Sequence, residues 1–257
     1  MDKILKVLQP HIVGALMPLA RFQGADGQPK VTPEQLAAIN DLPQVLSRLS
    51  ADDVIVRGMW LMNDQPMHES PWFIRKFDAD ALAQAAPHVP GKPVLVNHTT
   101  YGLDGLPVGR YFAASVGARE GEQGAWMASL FYMLNDDQRK SIAAKMDGGL
   151  YAECSPTIVY DRLYCSICGA DDLECEHAPG KIYEGQKCFA VMSAVTDVLE
   201  GSIAWAGMQK NTGFYQAAAQ SAPAQLVDTD AALKAICERK QARGIDSWAF
   251  MGGSPGT

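Results

Sequence analysis

The hydrophobic positions change period twice along the chain. Up to about residue 50 they recur at helical spacing. Ile4, Val7 and Leu8 share one helical face, and Thr32-Pro33-Glu34-Gln35 reads as an N-cap followed by proline at the first helical position. This second helix is expected to run through Leu36, Ile39 and Leu46, with an interruption near Pro43. From Asp53 onward, short apolar runs bounded by polar turns take over. Val54 to Met62, Pro93 to Val96, Leu106 to Val116, Ala125 to Leu134, Leu150 to Tyr160 and Ala194 to Trp205 read as strands. Two helices interrupt them. Asp78-Ala79-Asp80 opens a short one, and Asn135-Asp136-Asp137 caps another over Gln138 to Met146, closed by Gly148-Gly149. Past residue 215 the stretch Gln216 to Ala224 reads as a low-complexity hinge, followed by a helix from about Asp228 through Lys240 and a Gly/Pro/Ser tail.

These periods imply an α+β protein with a mainly antiparallel, β-barrel-like core, flanking helices and a small insert. The divisions are a helical N-terminal arm at 1–50, a β domain at 51–215 with the insert at 161–190, and a flexible linker, helix and tail at 216–257. Composition fits a folded chain: 257 residues, 47% hydrophobic and 20% charged. The net charge of −7 argues against non-specific nucleic-acid binding, which needs a basic surface to neutralise phosphates. No apolar run approaches the ~20 residues of a membrane span. The first twenty residues start like a signal peptide, but Pro10, His11 and Pro18 break the apolar stretch, so an amphipathic structural segment is expected.

The densest chemistry lies in the insert. Cys165, Cys168, Cys175 and His177 follow the spacing C-x2-C-x6-C-x-H, with Cys188 a further thiol downstream. Five of the six cysteines lie between Cys154 and Cys188. Such clustering favours a metal in a reducing compartment over a disulfide framework, and cytoplasmic synthesis is expected. Zn²⁺ takes four soft or borderline ligands in a tetrahedron, and this many thiolates fits a structural site better than a catalytic one. His177 and Cys188 compete for the fourth position. His177 is favoured, because Cys188 leads directly into the apolar stretch Phe189-Ala190-Val191-Met192.

A second constellation lies on the strands. Two-residue alternation over 150–160 puts Ser155 with Tyr151, Glu153, Thr157 and Val159 on the more polar face, and Cys154 with the apolar set. Pro156 holds Ser155 extended and removes a ladder donor. A serine hydroxyl becomes a nucleophile when a histidine takes its proton, and His98 ends a predicted strand in the same domain.

The order Pro93-Val94-Leu95-Val96-Asn97-His98, Leu106-Pro107-Val108-Gly109-Arg110, Gly148-Gly149 and Leu150-Tyr151-Ala152-Glu153-Cys154-Ser155 resembles the prohead (head-maturation) proteases of tailed phages, which share a fold with the herpesvirus assemblins. Val198-Leu199-Glu200-Gly201-Ser202 looks like that family's Glu-Val-Ser segment, and the resemblance spans about residues 52–215. It implies a serine endopeptidase with Ser155 as nucleophile, His98 as general base and Glu200 as the third member, with Asp197 close enough in sequence to compete. It also implies phage capsid or scaffold proteins as partners, an oligomer in the assembling head, and a location in the host cytoplasm within the prohead or virion. The chain departs from the family where Pro156-Thr157-Ile158 follows Ser155 and where Ala206-Gly207 replaces a Pro-Ala step. The alternative is an inactive virion structural or decoration protein on the same fold, stabilised by zinc and binding capsid or portal. A zinc-dependent nucleic-acid module is disfavoured by the acidic balance.

Overall fold

The structure, a computed structural model, describes residues 31–68, 74–99, 106–171 and 173–215. The expected helix at Ile4 to Leu8, the hinge at 216–224 and the helix after it lie outside the described residues. Helix α1 (Pro33–Asn40) opens as its sequence predicts: Thr32 accepts from the Gln35 amide while the Gln35 side chain reaches back to the Thr32 amide. It stops at Asn40, short of Leu46, which is almost fully exposed. The Asn40 side chain bonds both the N–H and the C=O of Leu49, so the chain after the helix is tied into a loop instead of a further turn. Ile39 and Leu42 pack in one cluster with Val54, Trp60, Phe112, Trp126 and Tyr215, so this helix covers one face of the sheet.

The strands are β1 (Val54–Asn63), β2 (Arg75–Phe77), β3 (Pro93–Val96), β4 (Gly109–Gly117), β5 (Trp126–Leu134), β6 (Glu153–Cys165), β7 (Ile182–Tyr183), β8 (Gln186–Lys187), β9 (Ala190–Ala204) and β10 (Gly213–Tyr215). One mixed sheet runs β10-β1-β5-β4-β3-β9-β2, with β6 on β9 as well, and β7 and β8 form a separate hairpin. No closed barrel is found among the described residues. Most pairings are antiparallel as expected, but β2 and β3 both run parallel to β9. Helices α2 (Ala79–Ala85) and α3 (Asp137–Asp147) take their N-caps from Asp78 and Asp136, as the sequence indicates. No described helix is long and apolar enough to cross a membrane.

The main departure from expectation concerns β6 and β9. Each is longer than its hydrophobic run suggests. They pair from Glu153↔Ala204 to Cys165↔Ala190, with two register shifts on the way, so the insert is confined to the residues between them, not the whole of 161–190. Asp161 and Arg162 look like the start of a loop in sequence, yet they sit in a strand because its outer side is solvated.

β9 carries one strict steric requirement. Gly201 lies over Tyr111, whose buried hydroxyl donates to Met59 Sδ at 3.0 Å. A Cβ at residue 201 would run into that hydroxyl and the ring behind it. Gly201→Ala is therefore expected to destabilise the protein by about 1–3 kcal/mol, the usual cost of overpacking, and adding Tyr111→Phe should recover part of the loss. Urea unfolding of the single and double variants measures both.

Candidate active site and metal centre

The register of β6 on β9 builds one polar face. Ser155 stands opposite Ser202 and Thr157 opposite Glu200, and directly opposed residues share a face of the sheet. The intervening pair, Pro156 and Gly201, points the other way, towards Tyr111. On the opposite flank of β9, β3 runs parallel with Val96 beside Ile203, and the Asn97 amide continues that pairing to the Ile203 carbonyl at 2.8 Å. The chain then reverses in a tight turn closed by Thr99 N–H on the Val96 carbonyl. Asn97 and His98 both have positive φ, 52° and 54°, the conformation of a type I′ turn. Asn and His tolerate this region better than most residues, though it still costs on the order of 1 kcal/mol for a non-glycine.

That turn lays His98 across β9. Its backbone N–H donates to Ser202 Oγ at 3.0 Å, and its Nδ1 meets Glu200 Oε1 at 2.7 Å. Glu200 is buried, and both of its oxygens are engaged: Ser202 Oγ donates to Oε2 at 2.6 Å and Thr157 Oγ1 donates to Oε1. The His98 ring is partly open to solvent, and its Nε2 has no hydrogen-bond partner among the described residues. A neutral imidazole held through Nδ1–H presents a lone pair at Nε2, the state a general base requires.

The structure thus brings His98 and Glu200 together. Ser155 lies on the same face, two pairs along the ladder from Thr157 and Glu200, but makes no hydrogen bond to His98 among the described residues. Such bonds are often long until substrate is bound. Asp197, the competing acid, is elsewhere: it takes Lys92 Nζ at 2.7 Å and has His88 Nδ1 at 3.8 Å. Cys154 is buried in the core with Sγ on the Trp60 carbonyl at 3.1 Å, and burial pushes its thiol far above the ordinary range, so it stays neutral. Thr157 and Ser202 were not singled out as site residues by sequence. The signal was present, since each lies two residues from a candidate on the same strand face.

At the far end of β6, Cys165, Cys168, Cys175 and His177 converge, their ligand atoms all within 4.8 Å of one another. They can hold a metal ion. The amide of Ile167 points at Cys165 Sγ at 3.4 Å, and Gly169, at φ 75°, turns the chain back so that its amide reaches the Cys165 carbonyl. Burial works against ionising Cys165, but the amides of Cys168 and Ile167 outweigh it and bring the thiol down to about 6. His177 Nδ1 is buried without a hydrogen-bond partner, a state expected of a nitrogen that a metal ion completes. Cys188 Sγ lies 3.7 Å from Cys165 Sγ, close to the roughly 3.8 Å between thiolates on one tetrahedral ion with metal–sulfur bonds of ~2.3 Å. Cys188 is thus a further thiol beside Cys165, next to the four residues whose ligand atoms converge.

Compared with known proteins, the chain matches no family model, none of the curated proteins and none of the solved structures.

The electrostatics of the first site set a pH dependence. The hydrogen bond to Glu200 holds His98 above its ordinary value of 6.5, with burial opposing. Burial raises the Glu200 carboxyl, but hydrogen bonds from His98, Ser202 and Thr157 prevail and keep it below its ordinary 4.5. A raised histidine contributes stability that is complete below 6.5 and is lost as pH rises through its folded-state value. A lowered carboxyl contributes stability that is complete above 4.5 and is lost as pH falls. The pair is strongest between the two. Glu200→Gln should lower the His98 pKa while Asp197→Asn leaves it close to wild type, followed by NMR titration of the imidazole. An unchanged titration in Glu200→Gln would remove the pair from the argument.

Proposed function

We propose that the chain is a serine endopeptidase of the phage head-maturation type, processing scaffold or capsid precursors during virion assembly. The observation that carries this reading is the buried Glu200 carboxylate on His98 Nδ1, on the strand face that also bears Ser155. The motif resemblance named those three residues, and the His98–Glu200 pair, with Nε2 free of other partners among the described residues, suits the base and orienting acid of a triad. Ser155 Oγ would attack the scissile carbonyl while His98 Nε2 takes the hydroxyl proton. Glu200 would stabilise the imidazolium, which then gives its proton to the leaving amine as the C–N bond breaks. Water, deprotonated by the same imidazole, would release the acyl group from Ser155 and restore the hydroxyl.

The same reading takes the curled sheet as barrel-like. Cys154 Sγ on the Trp60 carbonyl and Thr212 Oγ1 on the Cys154 carbonyl, each at 3.1 Å, bring the start of β6 against β1 and the segment entering β10.

The alternative is a non-enzymatic virion component that binds capsid or portal. It is favoured by Thr157, not Ser155, standing 3.3 Å from His98 Nδ1. Co-expression with the capsid precursor decides between them. Ser155→Ala and His98→Ala should each abolish precursor cleavage, and wild type but not Ser155→Ala should take up a fluorophosphonate label. Intact processing in both variants would leave the structural role.

For the second site we propose structural Zn²⁺ held by Cys165, Cys168, Cys175 and His177, with the neutral Cys188 thiol donating to the Cys165 thiolate. Three thiolates and a histidine leave no open position for catalysis. Elemental analysis should find one zinc per chain, lost in Cys168→Ser. In the Co²⁺ form the charge-transfer band should report three thiolates and persist in Cys188→Ser. A four-thiolate spectrum that collapses in Cys188→Ser would instead put Cys188 on the metal.

A further inference from the structure

The hydroxyl of Ser202, which closes the Glu-Val-Ser-like segment, makes two contacts. It is fully buried, donates its one proton to Glu200 Oε2 at 2.6 Å, and accepts the His98 backbone N–H at 3.0 Å. A hydroxyl has one donor and two acceptor sites, so both contacts are satisfied at once. The residue that anchors the turn beneath His98 is therefore also the residue that holds the carboxylate facing the His98 ring. Thr157 completes the arrangement from β6. Its hydroxyl proton goes to Glu200 Oε1, and its oxygen lies 3.3 Å from His98 Nδ1.

Together these contacts settle which ring nitrogen carries the proton. Glu200 Oε1 already receives the Thr157 hydroxyl and faces Nδ1 at 2.7 Å. An ionised oxygen opposite an unprotonated Nδ1 would set two lone pairs against each other, so Nδ1 carries the hydrogen and Nε2 the lone pair. With both carboxylate oxygens engaged, Glu200 cannot rotate away from this arrangement without leaving a buried acceptor unpaired.

We infer that Ser202 and Thr157 are positioning residues: they clamp the two oxygens of Glu200 and tie the His98 backbone to the same clamp, fixing the imidazole as its Nδ1–H tautomer with Nε2 free. This inference rests on the protease reading for its purpose, but not for its geometry. Removing either hydroxyl leaves the reacting atoms in place and loosens the frame that aims them. A misplacement of about 1 Å at such a site can lower the rate roughly 10²-fold.

The test reads the tautomer directly. In the full-length, metal-loaded protein, at a pH where the His98 ring is neutral, the imidazole ¹⁵N shifts should show hydrogen on Nδ1 in wild type. Ser202→Ala and Thr157→Val should each give a mixture of the two tautomers and faster exchange of the ring N–H, while Thr157→Ser keeps the wild-type pattern. The rate of fluorophosphonate labelling should fall by about 10²-fold in the first two variants and stay near wild type in Thr157→Ser. A merely structural role would lower the melting temperature and leave the tautomer unchanged, and that result overturns the inference. Should Ser202→Ala fail to fold, the two Thr157 variants, on a partly exposed position, decide the matter. Labelling that persists in Ser155→Ala sinks the protease reading alone, because the ¹⁵N result stands without it.

Discussion

The ladder between β6 and β9 is the constraint on which everything else depends. It puts Ser155 opposite Ser202, Thr157 opposite Glu200 and, at its other end, Cys165 opposite Ala190. Strand alternation makes this arrangement all or nothing, since a slip of one residue would turn the polar face into the core and the core onto the polar face. Two irregularities interrupt the ladder, between Thr157 and Ile158 and between Val159 and Tyr160. Each leaves one extra residue on β9, Leu199 and Thr196, both of them exposed. Val198, between the two, lies in the core with no exposed surface, and Val195 and Met192 below them also pack in the core. β9 needs its length because different partners use its other edge: β2 low down and β3 near the top, where the His98 turn begins.

On this frame sits a carboxylate that would be unfavourable if it were alone. Burial of an ionised group costs several kcal/mol when nothing compensates it, and Glu200 is almost wholly removed from water. Three donors offset that cost, two of them hydroxyls from the same polar face. Asp197 makes the comparison clear. It forms an ion pair as short as that of Glu200, but at the surface, where such pairs contribute little and orient nothing. Distance alone does not separate the two acids. What separates them is the low dielectric around Glu200 and the fact that its partners are held by strands.

Much of this was legible from residues alone where local chemistry decides structure. The capping box at Thr32, the caps at Asp78 and Asp136, and the apolar runs at 54–62 and 93–96 all form the elements they indicate. Legibility fails where pairing decides instead. β2 and β10 are three residues each and β7 and β8 two, too short for any period to emerge. The lower half of β6 was missed because one solvated side makes a strand read as polar loop. At the site, His98, Glu200 and Ser155 were reachable through a motif resemblance. The roles of Thr157 and Ser202 were not, because they exist only once two distant strands are in register. Asp197 could be set aside as the partner of His98 only when the bulged ladder showed which acid faces the ring.

The same geometry limits what a metal ion held by the cysteine–histidine cluster could do. Ten residues of β6 separate Ser155 from Cys165, which at strand rise is roughly 30 Å. No metal-bound group can reach across that distance, and no electrostatic effect of consequence survives it in water, where charges are screened over about 8–10 Å. The cluster therefore bears on the serine site only through the ladder. It closes the connection at the end where β6 gives way to β9, while Ser155 and Thr157 are held at the other end by opposite partners on β9 and by the contacts of Cys154 with Trp60 and Thr212. Fraying from an empty metal site would have to unzip the pairs from Cys165 inward, past both bulges, before it reached Thr157. The insert is thus a closure on a long hairpin, and the register of the polar face is set by the core beneath it: Gly201 against Tyr111, Cys154 beside Ile203, and the Val96 strand laid alongside.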